Sequence, residues 1–217
     1  MNIIKKQYSA LWLTIITVLL ALLSSIFLDH EWLLDFVDED HFVENLTLVF
    51  YAIAIVFVLC YQFKAIKFSY RFSLAFVLFA MMAREADLHK VFGMSMLKIK
   101  FWLTNAANLQ SKAMAAVIIL VILFAIFYII LNNYKAWYQD LKQKEAYAIS
   151  VFIFFVVLVV SKILDRSLNM INEITGWMAP RWMVAFQQPQ EEYLECILPL
   201  LIMIAVVQYV AKKQRIK

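Results

Sequence analysis

Long, unbroken runs of apolar residues separated by short polar segments dominate the chain. Each run is long enough to cross roughly 30 Å of hydrocarbon as a helix that rises about 1.5 Å per residue. The pattern therefore predicts an all-α membrane protein, a bundle of six transmembrane helices in a single domain covering residues 1–217. The predicted helices are about 10–28, 42–63, 68–88, 113–131, 146–164 and 193–210.

The composition excludes the main alternatives to a helical membrane protein. Hydrophobic residues make up 65% of the chain and charged residues 17%, whereas a soluble domain is nearer half apolar. The apolar runs do not alternate with polar residues, and only two glycines and three prolines are present, which argues against a β-barrel. The lipid bilayer is therefore the predicted partner; nothing indicates nucleic acid, and protein partners are not specified.

The basic residues predict the orientation of the chain. Six spans place both termini on one side, and with the termini inside, the inner segments carry 12 of the 20 Lys and Arg residues. The short hairpin from Lys64 to Arg71 contributes most clearly to this excess. By the positive-inside rule we expect a bacterial cytoplasmic (inner) membrane protein with both termini in the cytoplasm.

The three predicted outer loops differ in charge. Residues 29–44 carry seven acids and no Lys or Arg, which fits either a solvated loop or a funnel that collects cations. Residues 90–112 mix lysines with large apolar side chains, which fits either a surface helix on anionic lipid or a cover over the bundle. Residues 167–190 contain Trp177 and Trp182, typical of a segment at the interface. Short interfacial helices are predicted in these loops.

Charged residues also stand at the predicted outer ends of the helices, where they are costly and therefore functional candidates. In the third helix, Glu85 and His89 are four residues apart and share a helix face, while Arg84 and Asp87 are three apart and can pair. The second, fifth and sixth helices add Glu44, Asn45, Lys162, Asp165, Arg166, Glu191, Glu192 and Glu195.

If these helix ends face one another, acids outnumber permanent cations in a poorly solvated pocket. Such an excess requires protonation, a metal or water. One hypothesis is a metal-assisted or acid–base hydrolase or transferase acting on a lipid or lipid-linked substrate. It assigns base or metal-ligand roles to Glu85, His89, Glu191 and Glu195, and anion-binding roles to Arg84, Lys162 and Arg166. Supporting roles fall to Glu44, Asn45, Asp87, Asp165 and Glu192.

Other interpretations stay open. The charges could be helix ends that reach the interface, with acids favoured at helix starts by the helix dipole. The chain could also be a pathway for protons, ions or a small solute, or a non-enzymatic accessory or scaffold subunit. A divalent metal is the cofactor that the enzyme hypothesis suggests, and the oligomeric state is not specified.

Three short motifs carry a resemblance. The segments 39–40 with 44–47 (ED…ENLT), 84–90 (READLHK) and 191–195 (EEYLE) together resemble a group of small uncharacterised bacterial polytopic inner-membrane proteins with these features at equivalent helix ends. The likeness covers most of the chain and implies a bacterial cytoplasmic membrane location without an activity.

Overall fold

A computed structural model describes residues 6–37, 41–61, 66–104 and 107–215. In this part of the chain every regular element is helical and no strand occurs. The elements are α1 (Ser9–Phe27), α2 (His30–Val37), α3 (Phe42–Cys60), α4 (Phe68–Glu85), a 3₁₀ turn (Leu88–Lys90), α5 (Ile99–Leu103), α6 (Leu109–Lys142), α7 (Ala146–Thr175) and α8 (Arg181–Arg215).

Several of these helices are compatible with a multi-pass membrane protein, which confirms the predicted fold class in its general form. Within the described residues, five stretches are long and apolar enough to cross a membrane: Ser9–Phe27, His30–Cys60, Leu109–Lys142, Ala146–Thr175 and Arg181–Arg215. The α4 helix is not among them, and its 18 residues include Arg71, Arg84 and Glu85. The count of six spans and the side of the termini stay predictions.

The helix bounds differ most from expectation in the segment predicted as the third outer loop. Residues 167–190 are mostly helical, because α7 continues to Thr175 and α8 already begins at Arg181. Pro189 lies inside α8, although a proline commonly marks a helix boundary. The predicted end of the second helix at residue 63 and the acids Glu39 and Asp40 lie outside the described residues.

The structure divides into two compact units. The first contains residues up to Phe50 and from Trp137 onward, and the second runs from Tyr51 to Ala136. In the first unit, α8 packs most extensively against α7, then against α1 and α2. Buried residues run along most of α8, as expected for a helix that packs against several others and whose residues 196–207 are all apolar. This central helix carries the acids considered below.

The second unit contains the end of α3, α4, α5 and most of α6. Arg71, in the first turn of α4, is buried. Its guanidinium donates to carbonyls at the end of α3: Nε to Val58 O at 3.1 Å, and Nη2 to Leu59 O and, at 3.3 Å, to Tyr61 O. The last carbonyls of a helix have no intrahelical donors and attract cations. Arg71 therefore acts as a side-chain cap on α3.

Gly176 ends α7 and supports a first prediction. Its φ is +70°, and its amide donates to Asn172 O at 2.8 Å, the left-handed arrangement that glycine favours at helix ends. No described atom lies within 4 Å of where a Cβ would be, so only the backbone conformation opposes substitution. We expect Gly176→Ala to lower the free energy of unfolding by about 1 kcal/mol, and Gly176→Asn to lower it less. Detergent-titration unfolding measures both; equal stability of the alanine variant would contradict this.

Candidate functional site: a carboxylate cluster between α7 and α8

Four carboxylates interact with one lysine in the first unit, and a fifth interacts with one of those four. We call this group the carboxylate cluster. Lys162 of α7 forms a salt bridge with Glu195 of α8 and lies 3.7 Å, Nζ to Oδ2, from Asp165. The other members are Glu44, Glu191 and Glu192, which interact electrostatically with these groups. The first turn of α3 and interior positions of α7 and α8 thus contribute to one charged site.

Helical spacing explains how α8 presents its three glutamates. Glu191 and Glu195 are four residues apart and lie one above the other, while Glu192 lies about 100° further round the helix. Glu191 interacts electrostatically with Asp165 and Lys162 of α7 and with Glu195 of α8 itself. Glu192 also interacts with Glu44. The glutamates of α8 therefore join carboxylates from two neighbouring helices.

A small apolar core brings α3 to this side of α8. Val43 packs in one buried cluster with Leu33 and Val37 of α2 and with Cys196 of α8. Glu44 directly follows Val43, so the same packing holds its carboxylate near Glu192. Burial of these four apolar side chains therefore stabilises the position of the Glu44 carboxylate.

Glu195 is the most deeply buried acid of the cluster. The residue is 4% exposed, and a carboxylate at such a position is strongly destabilised without a partner. Lys162, whose side chain is 29% exposed, supplies that partner and reaches toward the surface. One turn further along α8 is Pro199, which has no backbone N–H. The Glu195 carbonyl therefore lacks the helical hydrogen bond that residue 199 would otherwise donate.

Gln187 is a member of this region that sequence reasoning missed. Its side-chain amide donates to Leu164 O of α7 at 2.5 Å and to Glu191 Oε2 at 3.2 Å. It thereby ties α7 to α8 and holds Glu191 in place. The four-residue spacing between Gln187 and Glu191 is a detectable signal, but it fell in a segment predicted as loop.

Several predicted site residues lie elsewhere. Arg166 and Asn45 are exposed on α7 and α3. Arg84, Glu85 and His89 belong to the second unit. The proposed gathering of all four helix ends stays a prediction.

The prediction that Glu85 and His89 share one helix face is wrong. The α4 helix ends at Glu85, and Asp87 has a left-handed conformation with φ 52° before the 3₁₀ turn that contains His89. Aspartate tolerates this conformation better than most residues and is a poor helix former. The Asp87 carboxylate contacts Lys90 Nζ at 2.5 Å and lies 3.8 Å from His89 Nδ1. Because α4 ends before Asp87, Arg84 and Asp87 are also not one turn apart on a single helix.

The metal site stays a prediction. Across residues 6–37, 41–61, 66–104 and 107–215, no three His, Cys, Asp or Glu side chains are arranged to hold a metal ion. The candidate ligands Glu191 and Glu195 lie instead beside the Lys162 ammonium.

A second polar cluster involves the start of α7 and the last turns of α8. Lys212 contacts Asp140 at 2.5 Å, Nζ to Oδ1, and the Tyr147 hydroxyl donates to the same carboxylate. Ser150 donates to Gln208 Oε1 at 2.7 Å, and Gln208 Nε2 donates to the Lys6 carbonyl at 3.0 Å. These contacts fasten the end of α6 and the start of the chain to α7 and α8.

The two polar clusters are separated by apolar residues on both helices. Residues 151–160 of α7 and 196–207 of α8 are all apolar. The separation between Ser150 and Ser161 is about 16 Å along the helix axis. The α7 and α8 helices therefore offer no continuous polar path between the clusters, which argues against a transmembrane pathway along this pair.

No protein-family model, curated protein or solved structure matches the chain. The class of protein is therefore defined by the fold and the site alone: an all-helical protein with several membrane-compatible helices and a group of carboxylates beside a lysine. The resemblance based on segments 39–47, 84–90 and 191–195 stays a prediction.

Proposed function

We propose that the chain is a six-span protein of the bacterial cytoplasmic membrane, with both termini in the cytoplasm, and that the carboxylate cluster is an acid–base site near the outer leaflet. Its reaction is hydrolysis or group transfer on a lipid or lipid-linked substrate. The observation that carries the proposal is the grouping of carboxylates: Glu191 interacts with Asp165 and Glu195, and burial disfavours charge on acids that lie so close together. Such a group readily exchanges protons, as general acid–base catalysis requires.

The residues take distinct roles in this proposal. Glu191 is partly exposed and held by Gln187, so it can accept the proton of an attacking hydroxyl or water and return it to the leaving group. The Glu195–Lys162 pair sets the electrostatic environment below it. Arg166, one turn beyond Lys162 and exposed, is placed to bind an anionic group of the substrate.

The proposal predicts lipid turnover that depends on Glu191 and Glu195. The purified chain in nanodiscs would be incubated with radiolabelled phosphatidylglycerol, phosphatidylethanolamine and a polyprenyl diphosphate, and products separated by chromatography. We expect Glu191→Gln and Glu195→Gln to reduce turnover by about 10²-fold or more, the usual contribution of a positioned acid or base. Glu173→Gln, the same change at an exposed position of α7, is the matched control.

Two results would contradict the acid–base reaction. One is turnover that survives both glutamine variants while their thermal unfolding stays native-like. The other is the absence of turnover of all three lipids by the native chain. Since Glu191 is less buried than Glu195, its variant is expected to fold even where the Glu195 variant does not.

The second candidate function is a non-enzymatic accessory or scaffold subunit. The observation that favours it is the closed pairing of Glu195 with Lys162, in which the deepest acid is already neutralised by its partner. Treatment of the native chain with dicyclohexylcarbodiimide, an apolar reagent for protonated carboxyls, distinguishes the two. Modification at Glu191 or Glu192, located by mass spectrometry, supports a proton-exchanging site, whereas modification confined to exposed acids such as Glu173 supports the scaffold.

A further inference from the structure

Large apolar side chains are exposed between α4 and α6 in the second unit. We call residues 88–104 and 107–112 the lysine platform. Leu97, Ile99, Leu103 and Leu109 are 58%, 76%, 80% and 84% exposed. Side chains of this kind normally cluster on a protein surface only where they contact a membrane or a partner.

The platform is a folded element with its own small core. Phe101 is fully buried and packs with Met96, Ala107 and Ala115. The Trp102 indole N–H donates to Met96 O at 3.0 Å. The exposed side chains therefore stand on a defined scaffold.

The short α5 helix separates the two kinds of apolar side chain. Ile99 and Leu103 are four residues apart and share a face, whereas Phe101 lies about 200° away from Ile99 and points into the core. Both faces are apolar, but only one of them is covered by the described part of the unit. The uncovered face needs an apolar environment outside the unit.

Charge identifies that environment. No Asp or Glu occurs from residue 88 to residue 139. Lys112 donates to Trp102 O at 3.0 Å and to Thr104 O at 2.8 Å, and Lys90 pairs with Asp87. Lys98 and Lys100, on either side of Ile99, are exposed and have no ion-pair partner among the described residues.

We propose that the lysine platform lies in the membrane interface, with Ile99 and Leu103 at the acyl boundary and Lys98 and Lys100 bound to the phosphates of anionic phospholipids. Exposed apolar side chains flanked by lysines are the pattern of an interfacial helix, and anionic head groups attract each lysine near the surface. The platform belongs to the second unit, so this interaction does not depend on the acid–base role of the carboxylate cluster.

Lipid-specific quenching tests the proposal. A fluorescent label is attached at Leu103→Cys in the full chain carrying Cys60→Ser and Cys196→Ala. The protein is placed in phosphatidylcholine nanodiscs containing equal amounts of either doxyl-labelled phosphatidylglycerol or doxyl-labelled phosphatidylcholine. We expect stronger quenching by the phosphatidylglycerol. The preference should fall by up to about fivefold for each of Lys98→Gln and Lys100→Gln.

The controls separate local charge from total charge. Lys98→Arg with Lys100→Arg should retain the preference, and Lys135→Gln with Lys142→Gln, the same loss of charge on exposed positions of α6, should leave it unchanged. Lack of quenching by either lipid would overturn the proposal and indicate a protein partner or a second copy. Equal quenching by both lipids, or a preference that survives Lys98→Gln with Lys100→Gln, would overturn the binding of anionic head groups.

Discussion

Replacement of Lys162 by Met will lower the free energy of unfolding by about 3–5 kcal/mol, the usual cost of breaking a buried ion pair from one side. Met keeps most of the apolar stem, so the change removes mainly the charge. Lys162 forms salt bridges with Glu195 and Asp165, and it interacts electrostatically with Glu191 and Glu192. Its loss leaves Glu195 buried beside other acids, and Glu195 must then either stay charged without its partner or take up a proton.

Removal of a carboxylate should cost less than removal of the lysine. Glu195→Gln leaves Lys162 with Asp165 and Glu191 as partners, so we expect a loss of about 1–2 kcal/mol, near that of a hydrogen bond to a charged group. The double variant, Lys162→Met with Glu195→Gln, should lose less unfolding free energy than the sum of the two single variants, because the two side chains interact directly.

Detergent-titration unfolding of the two single variants and the double variant measures this asymmetry. Lys135→Met, at an exposed position of α6, is the matched control and should change stability by less than about 0.5 kcal/mol. A Lys162→Met variant as stable as this control would show that the cluster is well solvated or that another cation replaces the lysine.

The helical fold could be predicted from the apolar runs because a membrane-compatible helix is specified locally, by about 20 consecutive residues. The ends of the helices were less predictable because they depend on tertiary packing. Pro189 is the clearest case: in isolation it favours a helix boundary, yet α8 continues through it, and Pro189 and Gln190 are both buried. The reverse is true near Asp87: the sequence predicts a helix to residue 88, whereas α4 ends at Glu85 and Asp87 is left-handed.

The members of the charged site could be predicted in part, since charges next to long apolar runs stand out in any composition. The four-residue spacing of Glu191 and Glu195 is enough to place both on one helix face. The partner of Glu195 could not be deduced, because Lys162 precedes it by 33 positions and only the packing of α7 on α8 joins them. Gln187 was missed for the same reason, since its contact with the Leu164 carbonyl requires the two helices to lie side by side.

Arg71 shows how one residue can carry a second role that its sequence context hides. Its position in a short basic hairpin gave it a part in the positive-inside count, which depends only on charge. In the structure it is 2% exposed and donates to carbonyls of residues 58, 59 and 61. A role in orientation alone would be retained by any cation, whereas a cap with several donors requires the planar guanidinium.

Arg71→Met should therefore lower the free energy of unfolding by about 3 kcal/mol, because it leaves one buried and two partly buried carbonyls without their donor, and an unsatisfied buried acceptor costs about 1–3 kcal/mol. Arg71→Lys keeps the charge but offers one ammonium in place of the fork, so we expect it to recover only part of the loss. Arg215→Met, at an exposed position near the end of α8, should be nearly neutral. Detergent-titration unfolding measures stability, and cysteine accessibility from the two sides of the membrane measures orientation. Native stability in Arg71→Lys would contradict the capping role, since charge alone would then be sufficient.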